Sequence, residues 1–344
     1  MLDLARRDPD SRKRESGIAA RHDISPAAVP RASGYHPSVH RRAFLAVFVL
    51  VVAGTAASSV SDPAGARVAS AGVQVQLLDP GANPREVLRL TPNMAPTSRT
   101  LTFSSEITQS GVSSATVGPL QMRTVISTTT GTTGPGGTIR VPYTYGSFQL
   151  LVTSTGTPQQ LDAIRSSLAQ FLGFGGEYTL SSTGVVLSNH FEIPSAVNST
   201  VRSVLEQLSS QSDQLSVPLP TKAVGIGARW RGTTQLTLAG INLRQTYEYK
   251  LRSRDRGRLA LDVHYTQVAA PQHLTSPGLT PGVSVDVTSY HVAGKGAMVL
   301  ELSQIIPLSG HLAAQGVQEF RVRQSGRSGK LEQRVLAGID VTAA

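Results

Sequence analysis

Few residues in this chain stand at spacings that do chemistry. The eight histidines run from His22 to His311, and no set of them forms the ligand spacing of a metal site. Cysteine is absent, which removes disulfides, thiolate metal sites, a cysteine nucleophile and a lipid-modified cysteine. Gly326 to Lys330 reads GRSGK, but a phosphate loop would need glycine at Gln324 and Ser or Thr at Leu331, so the stretch reads as a hairpin turn. There is no G-x-S-x-G elbow and no paired carboxylate motif, so no catalytic residue is assigned, no cofactor is expected and the chain reads as non-enzymatic. The densest charge cluster, RSRDRGR at Arg252 to Arg258, reads as a solvated hairpin tip, with anionic lipid headgroups or envelope polymer as its alternative contact. Asn198 begins an NST sequon, but inside an expected helix.

The elements around these residues are mostly strands. Apolar and polar residues alternate in RTLTFSSEIT, where Leu101, Phe103 and Ile107 share a face with Ser105. They alternate again in QTYEYKLR, where Tyr247, Tyr249 and Leu251 oppose Thr246, Glu248, Lys250 and Arg252. RLALDVHYTQ places Leu259, Leu261, Val263 and Tyr265 on one side. Turn signals fall at Thr132 to Gly137, Arg254 to Gly257 and Gln324 to Gly329. Val73 to Leu78 reads as an edge strand within a small-residue linker over 61–84.

Two helices are expected to interrupt the meanders. The first starts with Thr157 as cap, Pro158 at the first helical position and Gln160 three residues on, carries a stripe including Leu161 and Leu168, and ends at Gly173. The second is SAVNSTVRSVLEQLSSQ, capped by Ser195. The expected fold class is therefore α+β: a predominantly antiparallel, curved β-sheet of two related meander halves, at about 85–215 and 216–344, covered by two amphipathic helices. The Pro-rich VPLP and lone Trp230 mark the join between halves, and a shared sheet is favoured over two domains.

Residues 1–40 are rich in Arg, Asp, Ser and Pro with no apolar period, and read as a disordered basic leader. At 41–60, Arg41 and Arg42 precede an apolar run and then small residues, with AGA at 64–66 and ASA at 69–71 as cleavage sites. This is the order of a secretory signal peptide. Arg41, Arg42, Phe44 and Leu45 also resemble the core of a twin-arginine export signal, with His40 and Ala46 departing from its pattern. A retained single-pass anchor is the third alternative, since extension to Val60 approaches the roughly 20 residues a bilayer requires. All three place the remainder outside the cytoplasmic membrane.

The formal charge is +10, with nine Lys and Arg against five Asp and Glu up to Arg42 and 23 against 17 beyond it. The excess is thus partly a leader effect. The rest is spread out, and aromatics are few, so nucleic acid is excluded as the expected partner.

PTKAVGIGARW, QTYEYKL and GRLALDVHYTQ together resemble a family of exported actinobacterial proteins with a Pro-rich segment, a VGxGAxW motif and a Tyr-rich hairpin. The likeness covers about residues 85–340. It implies a location outside the membrane and carries no established activity and no catalytic residues. The expected function is a non-catalytic cell-envelope protein, extracellular or held at the envelope. It binds a lipid-like or apolar ligand in a groove lined by Phe103, Leu161, Leu168, Tyr247 and Leu261, or else packs tightly as an interaction scaffold for envelope proteins, with an unrecognised hydrolase as the third and lesser alternative.

Overall fold

The computed structural model describes residues 72–344 apart from 92–93, 113, 147, 154–157, 170–171, 193–215, 239 and 275–281. Fifteen strands form a single antiparallel sheet. They are β1 (Gln74–Asp79), β2 (Thr97–Gly111), β3 (Ala115–Thr128), β4 (Thr132–Thr133), β5 (Ile139–Tyr145), β6 (Gln149–Thr153), β7 (Gly175–Leu180) and β8 (Val186–Phe191) in the first half. The second half supplies β9 (Arg229–Leu238), β10 (Ile241–Asp255), β11 (Arg258–Ala269), β12 (Gln272–His273), β13 (Val283–Glu301), β14 (Ser309–Gln324) and β15 (Arg327–Ala343). The main path is β1-β9-β10-β11-β13-β14-β15-β2-β3-β5-β7-β8. The two halves meet where β15 pairs with β2, over thirteen residue pairs from Leu331 and Gly111 to Ala343 and Arg99, so they share one sheet.

The α+β expectation is overturned. Among the described residues the α-helix is α1 (Pro158–Ala169), which neighbours the short strand β6 and does not cover the sheet. Its Leu168 is buried in the main apolar cluster. The expected second helix lies outside the described residues. The physical reason is that the sheet curls into a nearly closed, barrel-like form and covers its own apolar face. Tyr143 of β5 and Tyr178 of β7 share one cluster with Trp230 of β9 and Tyr249 of β10, although these strands lie toward opposite ends of the strand order.

The Pro-rich segment makes the closure. Ser216 to Pro220 is buried, and the Leu219 N–H donates to Thr183 O at 2.7 Å in the β7–β8 turn. The Trp230 indole donates to Pro218 O at 2.8 Å, so this strap ties β9 to the far side of the sheet. The VGIGARW stretch then clamps the chain that follows β1. Ala82 N–H donates to Ile226 O, and Glu86 and Val224 exchange backbone bonds in both directions. Gly225 must be glycine, because a Cβ there would stand 1.7 Å from Ala82 O. Beyond that clamp, Leu88, Leu90 and Met94 are buried as the chain crosses one end of the curled sheet. It bonds Ser182 O from Leu90, Leu302 O from Thr91 and Ser303 O from Ala95.

Local sequence explains the hairpins. Arg256 and Gly257 have φ of 45° and 87°, and Ser325 and Gly326 of 49° and 77°. These are two-residue loops in the primed geometry that matches strand twist. GRSGK therefore begins in a hairpin turn and continues into β15, as its reading predicts. The 19-residue β13 would run roughly 60 Å if straight. Its bulge at Thr288, held by Thr288 Oγ1 donating to Glu319 O at 3.0 Å, resets the alternation. Val285 and Val287 before it and Tyr290 and Val292 after it thereby all enter one apolar cluster.

Candidate functional site

The inner face of the long strands has two dry ends and a different middle. At one end Ile241, Leu243, Val285, Val287, Phe320, Val322 and Leu331 are buried together. At the other, Leu101, Leu251, Leu259, Leu261, Leu300 and Val341 join the main cluster. Between them most inward residues of β13, β14, β15 and β2 are small or only half-buried, with buried Val292 and Ile107 at the two sides of the row that holds Gly316 and Val335. Along β15 the inward series is Leu331 and Gln333, both buried, then Val335, Ala337 and Ile339, half-buried, then buried Val341. On β14, Leu312, Ala314 and Gly316 are half-buried, and so are Gly294, Gly296 and Met298 on β13 and Phe103 and Ser105 on β2. The rows of the ladder place these residues side by side. They form a recess with a floor of small residues.

A polar belt borders the recess. Gln245, Gln267, Gln318, Gln333 and Gln109 are 1%, 6%, 4%, 2% and 5% exposed, so all five amides sit within the sheet's interior. Gln245 pairs across the ladder with Gln267, Gln318 with Gln333, and Gln333 with Gln109; Tyr290 pairs with Gln318. The belt therefore crosses β10, β11, β13, β14, β15 and β2, six neighbouring strands.

Its two parts differ. Gln245 Oε1 accepts from Gln267 Nε2 at 2.7 Å and from the Tyr265 hydroxyl at 3.4 Å, and Gln267 Oε1 accepts from the Tyr290 hydroxyl at 3.2 Å. An aromatic stack backs this part: Trp230 on Tyr249 at 5.5 Å, Tyr249 on Tyr247 at 6.0 Å and Tyr247 on Tyr265 at 5.0 Å between ring centres. The side-chain amides of Gln318 and Gln333, by contrast, make no hydrogen bond among the described residues.

The belt is uncharged. Burial pushes the Tyr290 phenol up to about 12, and holds Tyr247, Tyr249 and Tyr265 further above the ordinary tyrosine range, with neighbouring phenols adding to the shift at Tyr249 and Tyr265. Tyr247 is half-buried by surface, yet atoms crowd it closely enough that desolvation sets the direction. Among the described residues the inward charges on these strands lie at the far end: Arg99, bonded to Pro307 O at 3.2 Å and to Gln304 Oε1 at 2.7 Å, and Arg254, which the β10 bulge places opposite buried Leu259. An apolar recess with neutral amides at its border can hold a hydrocarbon and hydrogen-bond an uncharged polar group. It offers no nucleophile with a base beside it.

The outer face is charged and paired. Of the RSRDRGR arginines, Arg252 pairs with Asp262 at 3.1 Å and Arg258 with Glu301 at 3.7 Å on this face and Arg256 sits in the turn, while Arg254, turned inward by the bulge, pairs with Glu86 at 2.9 Å. A shallow, open depression of about 780 Å³ lies across these strands, near Arg252, Asp262, Ala297, His311 and Thr342. It is exposed, and the His311 Nδ1–Asp340 Oδ1 contact of 2.6 Å beside it leaves both side chains largely in solvent. No cluster of metal-ligating residues occurs among the described residues.

Of the expected groove residues, Phe103, Leu168, Tyr247 and Leu261 all join or pack against the main apolar cluster, Leu168 and Leu261 as buried members. The side chain of Leu161 lies outside the described residues, as do Arg41, Arg42, Phe44, Leu45 and Asn198. The buried glutamines escaped the sequence reading. Their signal is a glutamine in phase with large apolar residues, as in Leu243, Gln245, Tyr247 and Tyr249. No helix of the described residues is long and apolar enough to cross a membrane. Compared with known proteins, the chain matches no family model and no curated protein.

Proposed function

We propose that this chain is an exported, non-catalytic cell-envelope protein that holds a lipid-like ligand in the recess of its curled sheet. The observation that carries the reading is the inner face of β15, where buried residues at both ends flank half-buried Val335, Ala337 and Ile339. A protein interior packed to ordinary density leaves no such gap. Export rests on the Arg41, Arg42, Phe44 and Leu45 signal, and on the likeness of the GARW segment and Tyr-rich hairpin to exported actinobacterial proteins. The partly exposed Phe103 and Tyr247 and the neighbouring Met298 and Leu312 supply apolar walls. Each methylene buried there contributes about 0.8 kcal/mol, so a chain of ten carbons survives purification. Native mass spectrometry of the purified full chain, followed by organic extraction, tests this. A bound lipid-like mass supports it. Absence of any bound species, together with no uptake of a fluorescent acyl probe at micromolar concentration, overturns it and leaves the second reading, a scaffold for envelope proteins. The densely paired ends of the sheet favour that scaffold. Export is tested separately by fusing residues 1–75 to a reporter active only outside the cytoplasm. An inactive reporter rules export out.

A further inference from the structure

The geometry points to Gln318 and Gln333 as the residues that select the ligand's polar end, and to an uncharged hydrogen-bonding group, an ester, amide or hydroxyl on an acyl chain, as that end. This inference rests on the recess being a ligand site, and it narrows the ligand class.

Three observations converge. First, both glutamines are at least nine-tenths buried and lack side-chain partners among the described residues, whereas Gln245 and Gln267 on the same belt are bonded to each other and to tyrosines. Neither amide is among the fully enclosed unpaired side-chain atoms of the described residues, which include Thr124 Oγ1 and Arg254 Nη1, so both amides, unpaired within the fold, still reach accessible space where a ligand group can replace water. Second, Gln318 and Gln333 are direct cross-strand neighbours, and the next inward residues along their strands, Gly316 and Val335, begin the recess. A chain lying along the small-residue floor therefore brings its polar end to two donors and two acceptors. Third, among the described residues no charged side chain of β14 or β15 faces this part of the interior. The inward residues from Gln333 to Val341 on β15 and from Gln318 to Gly310 on β14 are neutral. A carboxylate or phosphate would lose its water there with no cation to replace it, while a neutral group would exchange water bonds for amide bonds.

The test uses the purified full chain and three probes of equal chain length: a monoacylglycerol, the matching hydrocarbon, and the matching fatty acid at pH 8. The expected order is monoacylglycerol tightest, by about tenfold or more over both others. In Gln318→Leu/Gln333→Leu the monoacylglycerol should fall to the affinity of the hydrocarbon, whose own binding stays unchanged. Retained hydrocarbon binding also reports that the variant is folded. If the wild-type chain binds hydrocarbon and monoacylglycerol equally, the polar selection is wrong while the recess stands. If the double variant keeps its preference for the monoacylglycerol, other residues make the selection and the assignment fails. If no probe binds the wild-type chain, the carrier reading itself is overturned.

Discussion

Gln245 with Gln267 and Gln318 with Gln333 are two pairs of one residue type, on one belt, buried to the same degree within 5%. They differ in what their amides touch. The first pair is closed upon itself through Tyr265 and Tyr290, beneath an aromatic stack that runs to Trp230. The second faces a floor of glycine, alanine and half-buried aliphatics. Burial alone thus does not distinguish a polar group bonded within the fold from one left without a partner in it. The count of satisfied donors and acceptors does.

The largest expected effect comes from breaking the closed pair. Gln267→Leu removes the donor to Gln245 Oε1 and the acceptor for the Tyr290 hydroxyl, leaving the buried hydroxyl unpaired and Gln245 Oε1 with the Tyr265 bond alone. At about 1–3 kcal/mol for the unpaired hydroxyl and about 1 kcal/mol for the bond lost at Gln245, the variant should lose about 2–4 kcal/mol, read as a lower midpoint in chemical denaturation. A loss below about 0.5 kcal/mol would mean that water already serves these groups and that the two pairs are alike.

Filling the recess has the next largest effect. Ala337→Leu adds three carbons on the inner face of β15, between Val335 and Ile339. In a close-packed core such an insertion costs about 1–3 kcal/mol. In the recess it should leave the melting temperature within a degree or two and reduce acyl-probe uptake several-fold. A large drop in stability with no ligand effect would favour the scaffold.

How much of this was legible in the sequence follows from the same comparison. Period-two alternation correctly set the inward faces of β2, β10 and β11, and Asp255 to Arg258 and Gln324 to Arg327 formed the tight hairpins their residues demand. The two-helix cover was over-read. Thr157, Pro158 and Gln160 carry strong local start signals, but local signals cannot show that a sheet will curl and bury its own face. The Thr288 bulge was also invisible, because a one-residue slip in an apolar strand looks like noise until the partner strand is known. VPLP read as a boundary between halves, yet it is the buried strap that joins distant strands, and only Trp230's bond to Pro218 reveals why. Of the expected groove residues, Leu168 and Leu261 are core members and Phe103 and Tyr247 are partly exposed, and the glutamines were not legible, since sequence shows that Gln245 shares a face with Tyr247 and not whether its amide is satisfied.

Gln333→Leu alone should do little to the ligand-free chain. It removes an amide that has no side-chain partner, and an apolar residue of similar size suits the site. The denaturation midpoint should stay within about 0.5 kcal/mol of the parent or rise slightly. A loss above about 1.5 kcal/mol would show that Gln333 is bonded in solution and would erase the distinction between the pairs.

The smallest expected effect is pH dependence, and its sign separates the pairs once more. The closed pair is tied to tyrosines whose phenols burial raises, Tyr290 to about 12. A free phenol titrates near 10, so in the pH range between these values the folded state holds a proton that the unfolded state releases. Stability contributed by the buried phenols is therefore complete below about pH 10 and is lost as pH rises toward 12. Denaturation midpoints should be insensitive to these groups at pH 6–9 and should fall above pH 10. The recess carries no inward titratable side chain between Gln333 and Val341. Affinity for an uncharged probe such as a monoacylglycerol should then stay flat from pH 5 to 9, measured by fluorescence competition on the folded chain. A change of tenfold across that range would require a titrating group at the ligand.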